Sequence, residues 1–228
     1  PLNPHSVGFV SCGDPVNPAN GNVYESEVDY QDPDGGLSFY RSYNSRGRAG
    51  WSSNFDVQLY LDSYPDNRGA IVRLGDGRTA LFSFNGDKII ADGGEFGRLQ
   101  RTSNGWSYIS QDDELFLFDA SGQLMRWEKP GGRFIDIETS SPSPGIALRN
   151  VTDHLGHRMA YTTRYGWPLK LVVDDFSIDY TVDEKFRVTE VKKTWPSHTS
   201  VRKYLYEDQR FPTNLTGIID ERGVRIST

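Results

Sequence analysis

Two histidines flank a glycine in His154-Leu155-Gly156-His157, and with Asp153 beside them they form the stretch whose residue types most suggest a metal. Three-residue spacing brings two imidazoles to one side of a helix, but on a turn and its return strand they need not converge. Exposed turn histidines are therefore the expectation, and no metal ligand is assigned. Acidic residues sit together at Asp112-Asp113-Glu114, Asp174-Asp175 and Asp183-Glu184. Glycoside hydrolysis needs two carboxylates facing across a cleft, about 5 to 10 Å apart, whereas adjacent acids in hairpin turns face solvent. No Gly-x-Ser-x-Gly elbow, phosphate loop or His-Glu-x-x-His sequence occurs. Cys12 is the sole cysteine, which rules out an intrachain disulfide and a Cys-based zinc site. No His, Lys or Arg adjoins it to favour a thiolate, so it is read as a packed residue. The chain is expected not to be an enzyme, with no catalytic, cofactor-binding or metal residues and no cofactor.

The elements that would position such groups are strands. Gly13 to Leu61 organises the chain. Pro15, Pro18 and Asn20-Gly21 forbid a helix across its entry, so a first strand begins near Asn22. Asp32-Pro33-Asp34-Gly35-Gly36 then reverses the chain before Leu37-Ser38-Phe39-Tyr40-Arg41-Ser42-Tyr43, whose alternation fits a half-buried strand. Trp51 is read as a core anchor, and Phe55, Val57, Leu59 and Leu61 alternate onto one inward face. From Ala70 hairpin follows hairpin, through the Gly75-Asp76-Gly77-Arg78 and Asn85-Gly86 turns and the apolar runs 106–109, 115–118, 124–127 and 134–137. No turn-free window carries a helical period. Ser140-Ser141-Pro142-Ser143-Pro144-Gly145 is a composition shift, either an internal joint or an extended loop over a continuing sheet.

An internal repeat marks the second half. Asp153, Gly156 and Arg158 recur as Asp220, Gly223 and Arg225 with the same spacing, and Asp119-Ala120-Ser121-Gly122 is a looser copy. The physics is that of a turn, in which Asp bonds the backbone two residues on and Gly accepts positive φ. Tyrosine-bearing strands enter acidic turns at Tyr161, Tyr165, Tyr180, Tyr204 and Tyr206.

Several ordered blocks carry a family resemblance. Gly13-Asp14-Pro15-Val16, Gly21 with Val23, Tyr40-Arg41-Ser42-Tyr43-Asn44-Ser45-Arg46 and Gly50-Trp51 resemble the domain that opens the repeat region of bacterial Rhs (YD-repeat) proteins. The run Arg202 to Asp220 is similar to a repeat variant with an enlarged turn, while residues 70–139 match only in rhythm. The resemblance implies an all-β fold of antiparallel hairpins in a curled sheet, the start of a spiral shell. Its implied divisions are an arm at 1–12, a β domain at 13–69 and hairpin repeats at 70–228, with a candidate joint near 140–145. It further implies a polymorphic toxin or secreted effector in which this region is a structural scaffold. The partners would be its own downstream repeats and a C-terminal toxin domain, then secretion-apparatus proteins or cell-surface glycans, with delivery by a bacterial secretion system. Asp153, Gly156, Asp220 and Gly223 are expected to set shape, and Trp51, Phe55 and Leu59 the core. The rival expectation is a glycan or cell-surface binding module with Trp106, Trp127, Trp167 or Trp195 as stacking platforms.

Composition agrees with a packed β protein. With 36% hydrophobic and 13% aromatic residues in a chain of 228, there is material for one large domain or two small ones. A net charge of −6 argues against a nucleic-acid backbone as main partner. Arg41, Arg46 and Arg48, like Arg202 and Lys203, are expected as solvated turn charges. No apolar run is long enough for a membrane-spanning helix and no signal-peptide pattern opens the chain. A start at Pro1 without methionine points to a processed product or excised fragment, and the stop at Thr228 to further repeats beyond. Asn150 and Asn214 lie in Asn-x-Thr sequons, read as chance matches.

Overall fold

The computed structural model describes residues 16–17, 22–45, 50–61 and 69–227. The expected arm with Cys12, the entry Gly13–Pro15 with Pro18, the Asn20-Gly21 turn, Arg46, Arg48 and Thr228 lie outside those residues. Among the described residues the regular structure is all strand, and every pairing is antiparallel. The first sheet takes β1 (Val16–Asn17), β2 (Asn22–Gln31), β3 (Ser38–Asn44) and β4 (Gly50–Ser53) in chain order. A second takes β5 (Gln58–Leu61), β6 (Gly69–Arg73), β7 (Thr79–Asn85) and β8 (Lys88–Ala91).

The third sheet has 13 strands. Its strands are β9 (Arg98–Thr102), β10 (Gly105–Ile109), β11 (Leu115–Asp119), β12 (Leu124–Lys129), β13 (Arg133–Ser143), β14 (Ile146–Asp153) and β15 (Arg158–Arg164). They continue with β16 (Trp167–Val173), β17 (Phe176–Val182), β18 (Val188–Thr194), β19 (Thr199–Leu205), β20 (Gly217–Ile219) and β21 (Arg225–Ser227). Each pairs with its neighbours in sequence, and β9 and β21 are the edges. The sheet is open, neither closed nor strongly curled, which corrects the curl expected from the sequence. A physical reason is at hand: the face that would turn inward is already covered by the two smaller sheets.

Turn chemistry sets the register of this meander. Asp119, Asp153, Asp183 and Asp220 each accept two backbone N–H groups on Oδ1, from the residues two and four positions on. The residue at the third position has positive φ in each: Gly122, Gly156, Phe186 and Gly223. Ser110 repeats the device with its hydroxyl, and Asp113 takes the positive-φ place. Ser140 to Gly145 is the far end of β13 and its turn into β14, so sheet pairing continues across it.

The core is one cluster reaching across all three sheets, and it includes Trp51, Phe55 and Leu59 as expected. Only the second half of the anticipated run 55–61 is strand. Asp56 closes a turn on Ser53 instead, and Phe55 is buried from that turn. The first sheet lies on the β15–β20 part of the large sheet, where Phe39 meets Tyr161 at 4.8 Å and Tyr30 stacks on Phe176 at 5.7 Å. The second lies towards β9–β12, where Phe84 stacks on Trp106 and the Leu59 N–H donates to the Gly122 carbonyl.

Candidate functional site

Period-two alternation in β3 buries Phe39, Arg41 and Tyr43, so a guanidinium occupies a position between two aromatic core residues. This corrects the reading of Arg41 as a solvated turn charge: it is 1% exposed. Burying a cation requires a partner, and β2 supplies it by an inverted pattern. Val28 faces solvent while Glu27 and Asp29 on either side are buried. Arg41 forms an ion pair through Nε with Asp29 Oδ2, and its Nη2 donates to Asp29 Oδ1 at 3.1 Å. The same Nη2 donates to the Tyr204 hydroxyl at 2.9 Å, and the Tyr180 hydroxyl donates to Asp29 at 2.8 Å. The rings of Trp51, Tyr180 and Tyr204 surround the guanidinium, Trp51 at 4.4 Å. Burial alone would push the Asp29 carboxyl up. The Arg41 charge and hydrogen bond, with Lys193 and Tyr180, outweigh burial and hold it below the usual carboxylate range.

Further polar contacts extend this seam. Arg202 of β19, half-buried rather than solvated, reaches both Glu27 and Glu221. Lys203 is exposed, as expected. The Tyr43 hydroxyl donates to the Thr213 carbonyl at 2.8 Å and accepts from the Leu215 N–H at 2.9 Å. Trp51 Nε1 donates to the Tyr206 hydroxyl, which donates on to the Val188 carbonyl.

A second node joins two turns. The β2–β3 reversal places Asp32 against the β14–β15 turn, and His157 Nδ1 lies 2.7 Å from Asp32 Oδ2 and 3.1 Å from Asp153 Oδ2. Gly36 passes so close to Asp153 that a Cβ there would sit 1.9 Å from Oδ2. The hydrogen bond to Asp153 raises the His157 pKa above the usual imidazole value; partial burial opposes it, and the charges of Asp153, Asp32 and Asp34 add to it. His154 points elsewhere, with its ring 6.1 Å from Phe134. The two histidines singled out in the sequence thus part company, and Asp32 takes the third place.

Asp112 and Asp113 are exposed turn residues, Asp174 and Asp175 form the exposed β16–β17 turn, and Asp183 holds its own turn and Arg187. Trp106 and Trp127 are buried, which removes them as stacking platforms. Trp167 and Trp195 are partly exposed, stacked on Phe186 and His198 respectively. A cleft between the β2–β3 turn and the β12–β13 hairpin is lined by Gly35, Gly36, Lys129, Arg133 and His154. Among the described residues its lining has no carboxylate pair or nucleophile.

Comparison with known proteins places residues 13–82 in a match to a domain of unknown function, DUF6531. The match takes in the first sheet and runs into β7 of the second. No curated protein matches the chain.

Proposed function

We propose that this chain is a non-catalytic structural scaffold, a wall segment of an Rhs/YD-repeat β-shell that encloses or carries a C-terminal toxin or effector domain. The observation that carries the reading is the strict chain-order meander of 13 strands. Its hairpins are closed by recurring Asp-based turns, and its opening domain is locked onto it through Arg41. The sequence blocks that resemble the opening Rhs domain fall inside the segment matched at 13–82. A sheet assembled one hairpin at a time grows by adding the next hairpin at an edge, so a wall can lengthen without rebuilding its core. On this reading the partners are downstream repeats and the effector domain, and the parent protein is delivered by a bacterial secretion system. The reading frame beyond residue 228, followed by limited proteolysis of the parent protein, tests it. Further tyrosine-bearing repeats ending in an unrelated, protease-protected tail are expected; a stop codon, or a freely digested tail, would overturn the shell.

A second reading, binding of glycans or cell-surface ligands, has one observation in its favour. Tyr165, Phe186 and Phe211 are more than half exposed on the turns at one end of the large sheet, with Trp167 stacked against Phe186 at 5.5 Å. A glycan array with the intact chain and with Trp167→Ala separates the readings. Selective binding lost in the variant would favour the second.

A further inference from the structure

The two turns that meet at Asp32 and Asp153 leave buried negative charge with little to balance it. Asp32 and Asp153 have side chains only 8% and 1% exposed. Every other buried carboxylate along this seam faces an arginine: Asp29 faces Arg41 and Glu27 faces Arg202. For Asp32 and Asp153, His157 is the sole charged partner within ion-pair distance among the described residues. Burial of an unpaired carboxylate is costly, and one imidazolium shared between two acids compensates at most half of the charge.

The local hydrogen bonds also aim these groups. Asp32 Oδ1 is taken by the Asp34 N–H, and Asp153 Oδ1 by the N–H groups of Leu155 and His157. Each Oδ1 is thereby tied to its own turn, and each Oδ2 is left pointing at the other element. Among the described residues neither Oδ2 accepts a backbone N–H, and the single nitrogen they share can give one proton. One ligand atom from each of the three residues lies within 4.8 Å of the other two. Ligand atoms about 2.0–2.2 Å from a tetrahedral ion stand roughly 3.3 to 3.6 Å apart, so the His157 contacts, now 2.7 Å to Asp32 and 3.1 Å to Asp153, would open by less than about 1 Å to seat one. Gly36 holds the β2–β3 turn at this distance, since any side chain there would strike Asp153.

We infer that Asp32, Asp153 and His157 form a divalent transition-metal site, for zinc or an ion of like preference, that pins the opening sheet to the repeat sheet. Two carboxylate oxygens with one imidazole nitrogen are a borderline donor set, better matched to zinc than to calcium or magnesium, which prefer all-oxygen shells. The partial exposure of His157 leaves a side open to solvent, from which water completes the coordination. Binding requires Nδ1 without its proton, so the ion replaces the shared hydrogen bond and releases that proton. This site goes beyond the scaffold reading and does not depend on it, because a metal at the seam would serve any function of the chain.

The test uses the whole chain, stripped with chelator, then titrated with zinc alone and followed by calorimetry and metal analysis. One zinc per chain is expected, with a higher melting temperature on saturation. Asp32→Asn and His157→Gln should each weaken binding tenfold or more, whereas His154→Gln, three residues away, should leave it unchanged. Circular dichroism confirms the fold of each variant, and half-exposed His157 supplies the deciding variant should Asp32→Asn not fold. Failure to take up a full equivalent of zinc, equal uptake by His157→Gln, or loss on His154→Gln would overturn the site.

Discussion

Removing the Arg41 side chain while keeping Asp29 would leave a carboxylate that is 5% exposed among Tyr180, Tyr204 and Trp51, with Lys193 at 3.6 Å as its remaining cation. Breaking a buried pair from one side costs about 3–5 kcal/mol. Arg41→Leu is therefore expected to lower stability by that amount in urea titration, and Arg41→Leu with Asp29→Leu to recover most of it; a double variant as weak as the single would refute the pairing. A linked pH effect follows. In the intact protein Asp29 is depressed, so its stabilising contribution is full above the unfolded carboxyl pKa of about 3.9 and is lost as pH falls through the folded value. In Arg41→Leu burial acts on Asp29 without the guanidinium, the carboxyl is raised, and protonation relieves the cost. The stability gap between the two proteins should narrow from pH 7 to pH 4; a constant gap would show that Arg41 acts through packing alone. Part of this node was legible. Phe39, Arg41 and Tyr43 share a strand face by counting in twos, so the alternation that identifies the strand also carries the arginine inward, against the solvated turn charge that its residue type suggests. The acid that answers it was not legible, because β2 buries Glu27 and Asp29 and exposes Val28, the reverse of what side-chain polarity alone predicts.

At the scale of the element, the recurring hairpin turn separates two effects of its glycine. Gly156 and Gly122 both have positive φ, at 90° and 86°, but a Cβ on Gly156 meets nothing within 4 Å whereas one on Gly122 would sit 2.0 Å from the Leu59 carbonyl oxygen. Gly156→Ala should cost about 1–2 kcal/mol from backbone strain alone. Gly122→Ala carries the same strain plus a clash with β5, worth roughly 1–3 kcal/mol more, so thermal unfolding should rank it clearly below Gly156→Ala. Equal losses would mean that the β5 contact yields freely. The turns were read from sequence wherever Asp and Gly stood at the right spacing, at Asp119, Asp153 and Asp220. The copy at Asp183 escaped because Phe186, at a φ of 61°, fills the glycine's place, and no propensity argument puts an aromatic there. Arg98–Thr102 escaped too, since only Leu99 of β9 is buried and an edge strand with one apolar anchor leaves no alternation to count.

For the molecule as a whole, what holds the layers together comes from residues far apart in the chain, such as Asp29 with Tyr180 and Tyr43 with Leu215. No local pattern announces such contacts, which is why strands and turns could be read from the sequence and their stacking could not. The stacking nevertheless decides how the protein unfolds. Tyr161, Leu171, Ile178, Tyr180 and Tyr204 on the large sheet are buried, and aromatic and ionic contacts to the opening sheet cover this region. Each such side chain loses about 1.5–3 kcal/mol when uncovered, and a contiguous apolar patch of this kind drives association. The intact chain is accordingly expected to melt in one cooperative transition, because neither layer has a core of its own. A fragment of residues 97–228, which keeps the large sheet and omits both smaller ones, should bind a hydrophobic dye and elute as dimers or larger species on size exclusion. A monomeric fragment with the melting temperature of the intact chain would show that the sheet stands alone, and the seam at Arg41 would then join two independent bodies.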